Sequence, residues 1–382
     1  MLQGEKRRTN ETEGEARVGR RAFLKTASTA VLGLTAINVV GCETNFVEPL
    51  VDGLQIPFIT PNEDFFVRVG AEVSIPNWQQ PSISAGDWTL TLDGLVDSPV
   101  TITYADLVEE AANGNAVTLL KTMRCVVDTN EVEGLIGTAL WTGIPLDVFT
   151  DRAGVRPEAR RFRVYGYDGF TNNFRIDRVK GNEQSQLFPP ILVTHMNGQL
   201  LPEIHGGPVR LILSESFGYK NLKWLERIEA VASDDPFGTY QDVGFIDDGE
   251  LRIVSKITDP IGNGMVQAGA TRVFGIAVSG ASPISRVEVS IDGSQWADAS
   301  IVSLDEIVEA APELESALQL QSGLAYPFRS VWVQWFFDVN LAAGDHEIRV
   351  RAIDVSGNEQ PDTDLDISDS VNAIPSVTVT AV

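Results

Sequence analysis

Residues 192–230 read LVTHMNGQLLPEIHGGPVRLILSESFGYKNLKWLERIEA, and the interpretation of the whole chain turns on this stretch. It places His205, Arg210 and Lys223 among apolar, strand-forming residues and glycine-containing turns. Each residue has an ordinary explanation, since His205 could be a satisfied turn histidine, Arg210 an edge-strand residue and Lys223 a side chain lying along Trp224. Taken singly, these residues do not indicate a site, so the rest of the chain decides.

The composition is that of a foldable globular protein with material for more than one core. The chain has 382 residues, 43% hydrophobic and 21% charged, so we expect two domains and exclude a disordered or fibrous protein. Its 29 basic and 53 acidic residues give a net charge of −24. Such a surface repels phosphate backbones, which disfavours nucleic-acid binding.

Cysteine and histidine are scarce in this sequence. Cys42 and Cys125 are its two cysteines, and its three histidines are His195, His205 and His346. These counts exclude a disulfide framework within one chain. They also exclude a zinc site of four cysteines, or of three cysteines and one histidine.

Residues 1–42 are typical of an export signal. The segment that starts at Gly19 reads GRRAFLK, which carries the paired arginines of a twin-arginine signal, and an apolar stretch follows from about Ala27 to Gly41. That stretch is shorter than the roughly 20 residues that span a bilayer, so we expect export and no permanent anchor helix. The twin-arginine route carries folded proteins, and a cofactor inserted before export is therefore expected.

Cys42 ends this leader in the sequence VVGC, which partly matches a lipoprotein cleavage site. The match predicts a lipid at Cys42 that holds the protein to the membrane in the periplasm or another extracytoplasmic space. The alternative is an ordinary signal cut nearby, which would leave Cys42 as a free surface thiol.

Two zones of different composition follow the leader. Residues 43–248 mix short strands, punctuated by glycine and proline, with helical patterns at Tyr104–Ala112 and Pro145–Ala153. Pro145 suits a first helical position, and Gly154 would stop the second helix. Strands and helices do not alternate regularly, so this zone predicts an α+β domain with a mixed sheet.

Residues 249–382 change to the period-two alternation of strands. Val287 and Val289 point to one face while Arg286 and Glu288 point to the other, and similar runs recur near the C-terminus. This pattern, with turn signals at short spacing, predicts an all-β immunoglobulin-like sandwich. An acidic, helix-favouring insert at 303–323 interrupts it, and the sequence assigns that insert no role.

Several spaced motifs in order resemble the sulfite oxidase family of molybdopterin-dependent oxidoreductases. Besides the stretch 192–230, the resemblance rests on motifs spread over nearly the whole chain after the leader: FFVR at 65–68, Cys125, GTALWTGIPL at 137–146, YGYDGF at 165–170, VEVSIDGSQW at 287–296 and RAID at 351–354. It implies a molybdopterin-binding domain followed by a second domain associated with dimerisation, and hence a possible homodimer.

The resemblance implies that Cys125 is the thiolate ligand of molybdenum in a molybdenum-molybdopterin cofactor. A soft thiolate suits this thiophilic metal. The alternative is that Cys125 is a small buried hydrophobe. The remaining cofactor contacts that the resemblance implies are Phe66, Val67, Arg68, Asp168, His205, Arg210, Asn221, Leu222 and Lys223.

The substrate side departs from the sulfite oxidases. An arginine expected five residues after the ligand cysteine is Asn130 here, or Val132 if a two-residue insertion is allowed, and neither is cationic. The arginine expected beyond Gln360 and Pro361 has no counterpart. Each charge-assisted bond to an anion contributes roughly 1.5–3 kcal/mol, so the loss of two arginines would weaken sulfite binding by about 10²- to 10⁴-fold.

Two other pocket positions also differ. The family's tyrosine aligns with Asp242, and Tyr240 is a possible substitute two residues away. The first loop keeps Arg68 but has Val69 and Gly70 where the family has asparagine and histidine. We expect oxo transfer at molybdenum, with Cys125, Arg68 and Tyr240 as catalytic residues.

The expected partners follow from this chemistry. The substrate would be a small oxyanion, or an S-oxide or N-oxide. The sequence has no CxxCH motif, so we expect no haem in this chain and an external electron carrier such as a c-type cytochrome. The acidic surface could dock a basic carrier, although solubility explains the charge equally well.

Two further functions remain open. One is a reductase of S-oxides or N-oxides on the same fold. The other is a surface lipoprotein that binds ligands without catalysis.

Overall fold

The computed structural model describes residues 55–71, 75, 77–128, 134–182, 184 and 186–382. The proposed export signal with Cys42, and the positions Asn130 and Val132, lie outside these residues. Their assignments stay predictions. In the part of the chain that is described, no helix is long and apolar enough to cross a membrane.

Among the residues that the structure describes, the first domain has ten strands and two α-helices. In chain order they are β1 (Thr89–Gly94), β2 (Val100–Thr103), α1 (Tyr104–Ala112), β3 (Val117–Arg124), β4 (Ile136–Pro145), α2 (Asp147–Ala153), β5 (Arg161–Gly166), β6 (Thr171–Arg175), β7 (Ile191–Met196), β8 (Gln199–Leu200), β9 (Arg210–Ile212) and β10 (Leu225–Val231).

These strands form two five-stranded sheets. The first has the order β2-β1-β10-β5-β6, and β1 runs parallel to β10 while the other pairs are antiparallel. The second has the order β3-β4-β7-β8, with β9 also paired to β7. The parallel pair makes the first sheet mixed, as the sequence predicts.

The two helices agree with the sequence to within one turn. Helix α1 has the predicted bounds, and the Thr103 and Asp106 side chains and main chains form a reciprocal capping box at its start. Helix α2 begins at Asp147, so the predicted start at Pro145 is wrong by two residues. Pro145 is the last residue of β4, and Gly154, with φ of 66°, ends the helix as predicted.

The second domain is a β-sandwich with two short helices. Its elements are β11 (Val254–Asp259), β12 (Gly264–Val266), β13 (Gly269–Val278), β14 (Ile284–Ile291), β15 (Ala297–Asp298), β16 (Ser300–Ile301), α3 (Leu304–Ala310), α4 (Glu313–Ala317), β17 (Val333–Leu341), β18 (Gly344–Asp354) and β19 (Ser376–Ala381).

One sheet of the sandwich has the order β11-β13-β17-β16, and the other has the order β12-β19-β18-β14-β15. Val287 and Val289 of β14 and Ile348 and Val350 of β18 are buried in the core between them. The period-two alternation therefore predicts the buried face correctly.

The insert at 303–323 attaches the sandwich to the first domain. Ile307 of α3 and Leu314 of α4 are fully buried in a hydrophobic cluster that they share with first-domain residues. Beyond α4, Gln321 donates to the Leu120 carbonyl at 2.8 Å and accepts from the Leu120 amide at 3.3 Å. Further along, the Thr122 amide donates to the Ser330 carbonyl at 2.8 Å. Strand β3, at the edge of its sheet, is thus covered by the other domain.

A buried ionic cluster also joins the domains, directly after β3. The Asp128 carboxylate accepts from Arg124 Nε at 2.9 Å and lies 2.6 Å from Lys256 Nζ of β11. Arg124 Nη1 donates to Asn372 Oδ1 at 2.7 Å. The side chains of Arg124 and Asp128 have no solvent exposure.

Asp128→Ala would leave two buried cations without their shared anion. We expect the free energy of unfolding to fall by about 3–5 kcal/mol, the usual cost of breaking a buried pair. Urea unfolding measures this change. The control Asp97→Ala removes a largely exposed partner of Arg156 and should cost about 0–1 kcal/mol. Equal losses in the two variants would contradict a structural role for the cluster.

Candidate functional site

A cleft with an empty volume of about 630 Å³ lies where β3 ends and the stretch 203–224 folds over it. It brings together ten of the residues that the sequence singles out: Phe66, Arg68, Cys125, Asp168, His205, Arg210, Asn221, Leu222, Lys223 and Tyr240. Val67 does not line this cleft, and its side chain is 42% exposed.

Cys125 lies within the cleft. It directly follows β3, its side chain is buried and unpaired, and its amide donates to the Leu135 carbonyl at 2.9 Å. Burial raises the pKa of the thiol, while the nearby Val127 amide and the Arg68 charge act in the opposite direction. A metal or another positive group at the sulfur would reverse the effect of burial and favour the thiolate.

Three basic side chains, Arg210, His205 and Lys223, line one part of the cleft, and we call them the cationic wall. Arg210 is a buried member of this wall. It is the first residue of β9, and its Nη1 and Nη2 atoms donate at 2.8 Å to the carbonyls of His205 and Asn221. Its guanidinium lies 5.1 Å from the Trp141 ring, and its Nε is buried without a hydrogen-bond partner. Burial lowers the pKa of Arg210 to about 9, although a guanidinium stays charged at neutral pH. Arg210 is thus a buried cation and not an ordinary edge residue.

His205 lies beside this guanidinium, at the end of a 3₁₀ turn at Glu203–His205. Its Nε2 atom is 2.9 Å from the Asn62 carbonyl, which fits an Nε2–H donor. Burial, with a smaller effect from the Arg210 charge, lowers the pKa of His205 to about 4. The imidazole is therefore neutral at physiological pH in the absence of a bound anion.

Lys223 completes the cationic wall. Its Nζ donates to the Ile204 carbonyl at 2.8 Å and lies 5.4 Å from the Trp224 ring, so the predicted alignment along Trp224 is also present. Burial and the Arg210 charge lower the pKa of Lys223 to about 7. Gly206, with φ of 104°, passes so close that a Cβ there would lie 2.9 Å from the Lys223 Cα.

Asn221 has its side chain committed to the fold. Asn221 Oδ1 accepts from the Leu213 amide and Nδ2 donates to the Phe217 carbonyl, both at 2.8 Å. Part of the main chain here is bonded as well, since the Asn221 carbonyl accepts from Arg210 and the Leu222 carbonyl accepts from the Leu211 amide at 2.9 Å. On another side, Asp168 Oδ1 accepts from the Phe170 amide at 3.0 Å, and burial raises the pKa of Asp168.

An aromatic wall, made of Tyr240, Phe170 and Tyr219, also lines the cleft, and of these residues the sequence singles out only Tyr240 as a site residue. Tyr240 stacks on Tyr219 with ring centroids 5.2 Å apart, and it meets Phe170 edge-on at 5.7 Å and Phe245 at 5.0 Å. Phe170 and Tyr219 lie inside motifs used for the resemblance. The density of aromatic residues between 217 and 245 is the signal that could have identified Tyr219 and Phe245.

The residues of the cleft are suited to bind an anionic group that carries a metal coordinated by sulfur. Arg210, His205 and Lys223 are desolvated around one space, and the Arg210 Nε is left without a partner. An anion there would offset the desolvation that lowers the pKa of each residue. Cys125 adds one soft donor to the same cleft.

Two family models match the chain in succession. The model described as oxidoreductase molybdopterin binding domain matches residues 77–239, and the model described as Mo-co oxidoreductase dimerisation domain matches residues 248–374. The predicted fold class is confirmed by these matches, since a molybdopterin-binding domain precedes a β-sandwich of the dimerisation type. The domain limits at 42/43 and 248/249 stay predictions.

Similar proteins include a nitrate reductase and a sulfite oxidase. The NADPH nitrate reductase of Beauveria bassiana is 29% identical over 198 residues, which cover 48% of this chain and 21% of that protein. The sulfite oxidase of Gallus gallus is 26% identical over 350 residues, covering 83% of this chain and 71% of that one. The chain therefore spans about a fifth of the length of that nitrate reductase.

A solved structure shares the fold. The sulfane dehydrogenase SoxCD of Paracoccus pantotrophus superimposes with a TM-score of 0.62 at 21% identity, covering 79% of this chain and 80% of that chain.

In cofactor-free protein, the burial of His205 makes stability depend on pH. The unfolded chain takes up a proton near pH 6.5 and the folded one near pH 4, so stability is lost as the pH falls between these values. The contribution is up to about 3 kcal/mol. Urea unfolding of wild type and His205→Gln over this range should show a shallower loss in the variant.

His346→Gln is the matched control, because the contribution of His346 to stability changes with pH in the opposite direction. The hydrogen bond to Asp292 raises the pKa of His346, so its contribution is complete below pH 6.5 and is lost as the pH rises through the raised value. Identical profiles for wild type and His205→Gln would contradict a neutral buried His205.

Proposed function

The chain belongs to the sulfite oxidase family of molybdopterin-dependent oxidoreductases, and we propose that it catalyses two-electron oxygen-atom transfer in this cleft. The observation that carries the proposal is that Cys125, the cationic wall and the aromatic wall line a single cleft. Such a reaction needs a ligand for the metal, groups that bind the anionic cofactor and a surface that binds the substrate. The thiol, the cationic wall and the aromatic wall would supply these three parts.

The family's cofactor is molybdenum-molybdopterin, and the residues present fit it. Cys125 would supply a thiolate to the metal, while Arg210, His205 and Lys223 would hold the cofactor's phosphate. The Asp168 carboxylate and the main chain of Asn221–Leu222 would contact the pterin. When bound, the cofactor supplies a metal that accepts or returns two electrons as an oxygen atom moves.

The substrate would then lie between Arg68 and the aromatic wall. Arg68 is exposed, and it makes no hydrogen bond or ion pair with any residue that the structure describes. It would orient an oxygen of the substrate. The Tyr240 hydroxyl also has no hydrogen-bond partner within the described ranges, and it would donate a hydrogen bond or a proton to that oxygen.

The direction of the reaction distinguishes two candidates. In one, a reduced substrate gains an oxygen atom from water and releases two electrons and two protons. In the other, an S-oxide or N-oxide loses its oxygen and takes up the same electrons and protons. The residues around the proposed substrate position favour the second candidate. Arg68 supplies a cation there, but the aromatic wall suits a neutral oxide better than an oxyanion. Both use the same residues, whereas a surface protein without catalysis would not require the buried cations.

Electrons would pass singly to or from a separate carrier, such as a c-type cytochrome. The net charge of −24 is complementary to a basic carrier. The match to a dimerisation domain at 248–374 supports a homodimer as the working form.

The site of action would be outside the cytoplasm. The twin-arginine sequence at Arg20-Arg21 would direct export of the folded chain, and a lipid on Cys42 would hold it at the membrane surface.

Cys125→Ser tests the metal assignment. Wild-type protein from a host that makes molybdopterin should contain about one molybdenum per chain. The variant should lose at least about 100-fold in turnover, because an alcohol is a much poorer ligand than a thiolate. Elemental analysis gives the metal content. Assays with sulfite plus ferricyanide, and with sulfoxides plus a reduced viologen dye, give turnover in each direction.

The other cysteine provides the matched control, since Cys42→Ser should leave both readouts unchanged. Molybdenum far below one per chain in the wild type, with no change in Cys125→Ser, would exclude the proposed chemistry.

Replacing Arg20 and Arg21 by lysines tests export. Twin-arginine recognition needs the guanidinium pair, so the variant should stay in the cytoplasm while replacement of the upstream pair Arg7 and Arg8 should not change export. Cell fractionation measures both. Cys42→Ser should release the exported protein from the membrane fraction; a variant that remains membrane-bound would refute lipidation at this residue.

A further inference from the structure

Gly70 leaves room for the aromatic wall. A Cβ at this position would lie 2.5 Å from Phe170 Cε2 and would overlap Tyr240 Cε2 as well. Real Cβ atoms do not approach other atoms so closely, and both contacts are aromatic rings that cannot simply swing away. The backbone angle of Gly70 is not in the left-handed region, so the need for glycine is one of space and not of conformation.

The rings that Gly70 admits reinforce one another. Tyr240 contacts Phe170, Tyr219 and Phe245, with centroid separations from 5.0 to 5.7 Å. Tyr219 is fixed from behind, because its hydroxyl donates to the Ile246 carbonyl at 2.7 Å. Any side chain at position 70 would therefore displace a packed group of rings and not a single mobile one.

The charges around this wall are few. Of the cations that line the cleft, Arg210 and Lys223 donate to main-chain carbonyls, and Arg68 makes no hydrogen bond or ion pair with a residue that the structure describes. Among the described residues that line the cleft, a doubly charged oxyanion would therefore meet one cation without a partner and several aromatic rings, whose faces repel anions.

We propose that Gly70 makes the cleft selective for a neutral sulfur or nitrogen compound with a planar apolar substituent on its reacting atom. The substituent lies against Phe170 and Tyr240, and the reacting atom faces Cys125. Gly70 acts as a positioning residue, through the two rings. This inference rests on the proposed function and names its substrate class.

The reaction balances with the carrier already proposed. For a sulfoxide, the S–O bond breaks, the sulfur lone pair is restored, and the oxygen leaves as water after taking up two protons. The two electrons come from the reduced one-electron carrier or from a reduced viologen dye in the assay. The reverse reaction of a thioether consumes water and returns the two electrons to an oxidised carrier.

The test compares the binding of three probes to the holoenzyme: methyl phenyl sulfoxide, dimethyl sulfoxide and sulfite. Dissociation constants are measured by calorimetry or ligand-observed NMR, so turnover is not needed. In the wild type, methyl phenyl sulfoxide should bind at least about tenfold more tightly than dimethyl sulfoxide, because its ring is buried against the wall. It should also bind more tightly than sulfite.

Gly70→Ala should lower the ratio of the two sulfoxide affinities about fivefold or more, because the displaced rings no longer offer the same surface. Gly86→Ala is the matched control, since Gly86 is exposed and a Cβ there would meet nothing closer than Ser84 Oγ at 3.8 Å. General damage to the fold would weaken both sulfoxides alike and leave the ratio unchanged.

Tyr240→Ala keeps the inference testable if Gly70→Ala does not fold. It should lower the same ratio, and in a Gly70→Ala background it should add little further loss. A wild-type ratio below about tenfold, tighter binding of sulfite, or a ratio that neither variant changes would overturn the inference. A protein without molybdenum would refute the proposed function, yet the binding ratios would still decide the role of Gly70.

Discussion

The shared burial of Asp128 between Arg124 and Lys256 is the constraint on which the site depends. Arg124 is the residue before Cys125, so the ion cluster fixes the end of β3 and with it the position of the thiol. Lys256 and Asn372 belong to the second domain, so the thiol is held by both domains. Arg124 and Asp128 have no solvent exposure and Lys256 has little, so the cluster tolerates little movement, because a displaced charge would lose its partner without gaining water.

Folding places the cationic wall where burial disfavours its charged groups. Its three basic groups sit where burial lowers the pKa of each, and main-chain carbonyls satisfy only part of their hydrogen-bonding capacity. This unfavourable contribution is part of the free energy of folding. An anionic cofactor therefore enters a wall whose dipoles and charges are already oriented, and its binding also stabilises the folded chain.

The sequence could predict those parts of the site that carry distinctive chemistry within one stretch. Cys125, His205, Arg210 and Lys223 belong to this group, because a lone cysteine and spaced cations can be recognised in a linear motif. The sequence names Gly70 only as a departure from the family, and its role depends on contacts with Phe170 and Tyr240, which lie 100 and 170 residues further along the chain. Val67 belongs to the same motif as Phe66 and Arg68, but it does not line the cleft, so its assignment as a cofactor contact stays a prediction. The role of the 303–323 insert needed the structure for the same reason.

Because the sandwich domain covers the edge of β3, this edge stays uncovered until the second domain has been synthesised. Gln321 bonds to Leu120 across a separation of 201 residues, and Ser330 and Trp332 follow it along the same strand. While the ribosome is still adding that intervening chain, the strand that leads to Cys125 has one unpaired edge. The first domain therefore cannot cover this edge of its sheet during its own synthesis. A shortened chain that ends before the sandwich would present an open strand edge to other chains.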